Sequence, residues 1–428
     1  VARRLPPEHP LRRALAGEIH ARPHEVIDTP ARAAHLALIG CDPEADRRQV
    51  ADLCARFGAP GPTADAIHHA ADLGAFRLRW ERHTEFSSYT FVRLGAFDDA
   101  PFGRGALDKV PEDWLAVLPG ELLTALHVAF EKEERTPEDL QALFGGASLC
   151  GARIAGGAAA MATDFRIHED GFSRILVRDD GLTRGQAGRV LQRLSEIETY
   201  RLMALRALPL ARELAPVVSE HGRHLTGIVD GLAGPDGDGD DRALLERLNR
   251  LAADCERLAS SSAGRFSATR AYHALVRTRI ADLREERLPG LQTVTEFMQR
   301  RLGPAMATCE SVWRRLEDLS ARIDRAGDLL RTRVNIALEE KNRDLLKSMD
   351  RRAHLQLRLQ ETVEGLSVVA ISYYLVGLVG YAAKGLKSAG LSVNPDIAAL
   401  VALPIVLGMV WVGVRRLRRA LGSGHSES

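Results

Sequence analysis

The sequence predicts an α+β domain of the α/β type, followed by a long helical stalk and two C-terminal transmembrane helices. Three observations predict it. Two charge-free apolar runs lie near the C-terminus, at 366–383 and 397–414. Short apolar runs and period-two alternation occur only up to about residue 180. Beyond that point the pattern is helical almost without interruption. With 428 residues and 45% hydrophobic side chains, the chain has length for two or three domains and cannot be disordered throughout.

Each element follows from its own pattern. In residues 1–30, Pro10 opens a short helix through LRRALAGEIH and Pro23 stops it. HLALIG, at 35–40, reads as a buried strand. In ADRRQVADLCARFG, at 45–58, Val50, Leu53, Cys54 and Phe57 recur at helical spacing, and Gly58 closes the helix. FRLRWERHTEFSSYTFVRLG, at 76–95, alternates, with Phe76, Leu78 and Trp80 on one face and Tyr89 and Phe91 on a face of the second half. That is a hairpin or a strand pair. LLTALHVAFE, at 122–131, is a further strand, and 148–177 reads as a strand and then a hairpin turning at 168–171. Helices follow from 183, broken by a Gly/Asp linker at 231–241 and a turn at Pro289–Gly290. The expected organisation is a mixed domain at 1–180, a helical region at 181–290, a stalk helix at 291–365, a first span at 366–383, an outer loop at 384–396, a second span at 397–414 and a basic tail at 415–428.

An 18-residue run is about 27 Å long as a helix, close to the roughly 30 Å hydrocarbon core of a bilayer. Arg415, Arg416, Arg418 and Arg419 follow the second run, and Arg351, Arg352 and Arg358 precede the first. The loop between holds only Lys384 and Lys387 as basic groups. The positive-inside rule then places both termini in the cytoplasm, and the first residues contain no apolar run of signal-peptide length. Neither run contains an ionisable Asp, Glu, Lys, Arg or His. The formal net charge of +1 argues against nucleic acid as a partner. Five widely spaced cysteines without a C-x-x-C point to reduced, buried thiols.

Three residue sets are candidates for function. Asn335, Asn342, Met349 and Gln356 recur every seven residues in a stretch, 331–361, that carries 13 charged side chains among 31. They form either a polar seam around a central axis or a solvated face. With Tyr373, Gly377, Gly380 and Tyr381 of the first span they are the candidate pore-lining residues. Glu18, His20 and Arg22 combine a carboxylate, an imidazole and a guanidinium that suit an anion or a metal. Glu81, His83 and Glu85 would share one strand face at period two, a set that a divalent cation would accept and that also describes the wet face of a half-buried sheet. No organic cofactor is indicated. Asp236, Asp238, Asp240 and Asp241 imitate a calcium loop but lack its glycine and its closing glutamate. No phosphate loop, nucleophile elbow or H-E-x-x-H is present, and no enzymatic activity is expected.

HPLRRALAGEIHARP, RWERHTEFSSYTF and NRDLLKSMDRRAHLQLRLQETVEGLSVVAISYYLVGLVGY carry a resemblance to a bacterial family of membrane-anchored proteins, the domain-of-unknown-function 3422 family, over nearly the whole chain. The resemblance implies a two-span protein of the bacterial inner membrane and no particular activity. The architecture also resembles, more distantly, the CorA-like divalent-cation channels, in which five long helices surround a pore. That resemblance implies a pentamer and an ion pathway. It departs at the outer mouth, where a Gly-Met-Asn motif is replaced by Gly380-Tyr381-Ala382 and where Lys384 adds positive charge. Two functions are compatible with these residues: an ion channel or transporter, and a membrane-tethered scaffold or ligand sensor.

Overall fold

The computed structural model describes residues 6–13, 15–16, 24–97, 100–103, 105–233, 241–389 and 394–422. The chain divides into two compact units, 1–327 and 328–428. The first unit holds a nine-stranded sheet among the described residues: β1 (Ala31–Ile39), β2 (His68–Asp72), β3 (Arg77–Arg82), β4 (Phe86–Leu94), β5 (Glu121–Glu131), β6 (Cys150–Ile154), β7 (Ala159–Thr163), β8 (Ser173–Asp179) and β9 (Glu286–Arg287). The order is β2-β3-β4-β1-β5-β8-β7-β6-β9. Neighbours are antiparallel except β5 and β8, which are parallel. A parallel pair needs a crossover, and the chain between β5 and β8 supplies it with a helix and the strands β6 and β7.

β1 is an interior strand, paired with β4 on one side and β5 on the other. Its alternation sorts side chains between two cores. Ala34, Leu36 and Leu38 face one core, filled by Trp80, Tyr89, Phe91 and Trp114 and by Val50, Leu53 and Cys54 of the helix α1 (Pro43–Arg56). Asp42 caps α1 by accepting from the backbone N–H groups of Glu44 and Ala45. Ala31, Ala33 and Ala37 face the other core, built with the helices that follow the sheet. Two short helices, α2 (Glu112–Ala116) and α3 (Pro137–Leu143), complete the sheet connections.

Helix α4 (Arg184–Leu205) starts at a capping box formed by Thr183 and Gln186 and lies on the sheet face of the second core. A glycine is required where it meets the strand leading into β1: a Cβ at Gly188 would stand 1.6 Å from the Glu25 carbonyl oxygen. Helices α5 (Ala207–Ala233) and α6 (Asp241–Leu283) follow. Helix α7 (Val294–Ser388) begins in the same core, with Val294, Met298, Leu302, Met306, Cys309 and Val312 buried at spacings of three and four. These helices share one core with the sheet, so they fold into the first unit with it. Most of the expected Gly/Asp linker, including Asp236, Asp238 and Asp240, lies outside the described residues.

The second unit contains the rest of α7 and helix α8 (Pro395–Gly422). Among the described residues two helices are thus long and apolar enough to cross a membrane, and their most apolar windows are almost wholly exposed, which distinguishes them from buried core helices.

The hairpin β3–β4 delivers three donors to one buried carboxylate. Asp46 of α1 is fully buried and accepts from the hydroxyls of Ser87 and Tyr89 and, at 3.4 Å, from the Trp80 indole N–H. Burial, followed by the charge of Asp46, pushes the Tyr89 phenol far above its ordinary range and keeps it a donor. Asp46→Ala would leave three donors unpaired, and a loss of about 3 kcal/mol or more is expected. Urea unfolding of the full chain in detergent, followed by tryptophan fluorescence, reads it as a lower midpoint, with Asp46→Asn intermediate. An unchanged midpoint in Asp46→Ala would show that this cluster does not hold α1 to the sheet.

Candidate functional site

Two places gather the functional candidates, one in each unit. In the first unit, β1, β3, β4 and α4 enclose a polar cavity of about 30 Å³. That volume is enough for one or two waters. Arg79 and Glu81 of β3 pair across 2.8 Å, and His83 stacks on Phe86 with ring centroids 4.2 Å apart. From α4 come Gln192, Ser195, Glu196 and Thr199. Gln192 donates to Glu196 at 3.0 Å, and Arg279 of α6 closes on the same carboxylate.

His35 sits at the floor of this cavity. Its Nδ1 lies 2.8 Å from the Thr90 hydroxyl and its Nε2 lies 3.0 Å from the Thr199 hydroxyl. One ring nitrogen donates and the other accepts, so the neutral imidazole satisfies both contacts. Burial, reinforced by the charges of His83 and Arg79, drives its pKa down to about 3. Nearby, burial raises the Glu25 carboxyl in spite of Arg77 and Arg79.

The structure separates the set Glu81, His83 and Glu85. β3 ends at Arg82 and β4 begins at Phe86, so the period-two face stops before the second carboxylate. Glu81 and His83 line the cavity. Glu85 instead accepts two bonds from Arg265 of α6, at 2.9 and 3.2 Å. Among the described residues no three His, Cys, Asp or Glu side chains lie together in a metal-holding arrangement. Glu18, His20 and Arg22 lie outside the described residues. Just after them, His24 meets Arg189 of α4 at 3.2 Å.

The second place is one face of α7. From Arg331 to Ile371 no residue is buried. Asn335, Asn342, Met349 and Gln356 lie in this exposed stretch of one continuous helix. Counting them as position a of a heptad puts Leu338, Leu345, Arg352 and Leu359 at position d, three residues on. The leucines and Met349 are all more than half exposed. Positions flanking the seam add Leu346, Ala353 and Leu355, which widens the apolar face. The opposite position f holds Glu340, Lys347, His354 and Glu361. The same count carried into the first span puts Gly377 at a, Tyr373 and Gly380 at d and Tyr381 beside them, so the candidates fall on one register. In a straight helix such a stripe drifts by about 20° per heptad, and it stays on an axis only when helices coil around one another with a left-handed twist.

The ends of the two apolar segments carry cation–aromatic pairs. Lys384 lies 5.8 Å from the Tyr381 ring centroid, and Arg415 lies 4.8 Å from that of Trp411.

The family model described as "Protein of unknown function (DUF3422)" matches residues 7–421. The chain belongs to this family. None of the curated proteins matches it. In this DUF3422 chain, sequence reasoning missed His35 and Asp46. The available signal was an imidazole inside the apolar run HLALIG and an aspartate on the apolar side of an otherwise regular helix.

Burial also lowers His127, stacked on Phe172 with ring centroids 4.0 Å apart, to about 4. Both native-state pKa values lie below the ordinary histidine value of 6.5. Between pH 6.5 and 5 the unfolded chain therefore binds protons that the folded chain refuses. Stability is independent of these groups above that window and falls as pH drops through it, by up to about 1.4 kcal/mol per pH unit for each histidine. Urea midpoints across pH 5 to 6.5 measure the slope. His35→Gln is expected to reduce it by about one proton's share, and an unaltered slope would mean that His35 is not held neutral.

Proposed function

We propose that the chain is a two-span membrane protein that assembles with copies of itself along the exposed face of α7, and that this face continues into the first span as the wall of an ion pathway. The observation that carries the reading is one uninterrupted helix that bears the same heptad register from Asn335 to Gly380. From Asn335 to Leu359, leucines at three of four d positions and amides at three of four a positions form a self-complementary pattern, because like positions meet across a symmetric axis and buried amides bond one another. A second copy is the occupant that matches it. All copies run parallel, since each helix ends in a span of the same membrane. The wide face favours more than two copies, and five is the number that the outline shared with CorA-like channels suggests. Small residues Gly377 and Gly380 at the seam allow close approach of helices in lipid. The membrane is the bacterial inner membrane with both termini cytoplasmic, by the distribution of arginines about the spans.

The test is twofold. In protein whose native cysteines are replaced, Leu345→Cys is expected to form disulfide-linked copies on oxidation, whereas Lys347→Cys, on the outer position f, is not. Full-length protein in liposomes is expected to raise ion flux above that of empty vesicles. Equal cross-linking at both positions would remove the seam. Flux equal to empty vesicles would remove the pathway and leave the spans as an anchor for the first unit, a tethered scaffold or sensor.

A further inference from the structure

The charges on the seam name a substrate class. Between Asn335 and Ser388 three charged side chains occupy positions a or d: Arg352, Lys384 and Lys387. All are basic, and all are exposed. Six acidic residues lie in the same stretch, and none is on the seam: Glu339 is at e, and Glu340, Asp344, Asp350, Glu361 and Glu364 are at b, c or f.

The three also lack the intrahelical carboxylate partners that Lys347 and Arg331 have. Lys347 reaches Asp344 at 3.6 Å and Arg331 reaches Asp328 at 3.6 Å. Arg352 has Ser348, Met349, Leu355 and Gln356 three and four residues away, and no carboxylate. Lys384 has the Tyr381 ring, and no acidic residue lies three or four positions from it or from Lys387. Among the described residues no carboxylate pairs with any of the three.

We propose that the pathway admits small inorganic anions rather than cations, with Arg352 forming a ring on the cytoplasmic approach and Lys384 and Lys387 forming the opposite mouth. The inference rests on the reading of α7 as a pore-lining helix. In a symmetric assembly each seam position becomes a ring. A ring of guanidinium groups repels itself and attracts anions, and it raises an electrostatic barrier to cations. A d position otherwise filled by leucine would make the tightest seam, so Arg352 weakens the bundle unless an anion lies within it. Arg352 is 14 residues from Leu366, about 21 Å along the helix, which is too far from the first span for a lipid headgroup to be its partner. The anion there comes from solution.

The experiment is a reversal-potential measurement on full-length protein in planar bilayers of zwitterionic lipid under a potassium chloride gradient. Preference for chloride over potassium by roughly fivefold or more is expected. Arg352→Glu is expected to move the preference towards potassium, as is the double change Lys384→Glu with Lys387→Glu. A second measurement does not need conduction. Chloride is expected to strengthen association of the wild type in detergent, while Arg352→Leu is expected to associate more tightly and without dependence on chloride, and the outer-face control Lys347→Leu is expected to keep the wild-type dependence. Conductance that prefers potassium would overturn the anion inference and leave the pore reading standing. An assembly that conducts neither ion, or a chain that does not assemble, would overturn both.

Discussion

Water-exposed leucine on a long helix has to be covered. Leu338, Leu345 and Leu359 of α7 stand on one side of an exposed helix, and burying a side chain of that kind is favourable by about 1.5–3 kcal/mol. Within the first unit the same helix meets this demand intramolecularly, with Val294, Met298 and Leu302 in the shared core. Along 366–383 the helix is apolar enough for lipid to meet it. Between the two, in 331–365, no described residue is buried. The heptad order of that stretch, with amides at most a positions and leucines at d apart from Arg352, is what supports the proposal that identical helices in parallel register meet the demand.

The sheet unit serves a different physical end. Three of its polar groups find their partners within the unit. Asp46 is saturated by Trp80, Ser87 and Tyr89, His35 by two threonine hydroxyls, and Glu85 by Arg265. Buried carboxylates and imidazoles of this kind fix one arrangement of strands and helices because any other leaves them unpaired. The residues of RWERHTEFSSYTF are therefore accounted for largely by the fold: Trp80, Ser87 and Tyr89 bind Asp46, Glu85 joins α6, and Glu81 and His83 border a cavity of water size.

Much of this was legible in the chain, and the remainder has a common cause. The strand at HLALIG, helix α1, the β3–β4 hairpin and the two apolar runs all rest on local periodicity, which a window of a few residues contains. β2, with the sequence HHAAD, is an edge strand whose faces are hardly buried, so no alternation marks it. The break of the Glu81, His83 and Glu85 face depends on where the hairpin turns. The partners of His35 and Glu85 are remote: Thr199 is 164 residues from His35, and Arg265 is 180 from Glu85. Such pairings are set by the packing of α4 and α6 on the sheet, which no local pattern encodes. On α7 the seven-residue recurrence of amides was visible, whereas its meaning depended on the helix being continuous and its leucines exposed.

The self-association of α7 is most directly tested by electron microscopy of the full-length protein in lipid nanodiscs. Particles with rotational symmetry, three or more copies, and the α7 helices gathered around the symmetry axis with Asn335 and Leu345 turned inward are expected. Single copies, or assemblies that leave this face of α7 in contact with water, would contradict it.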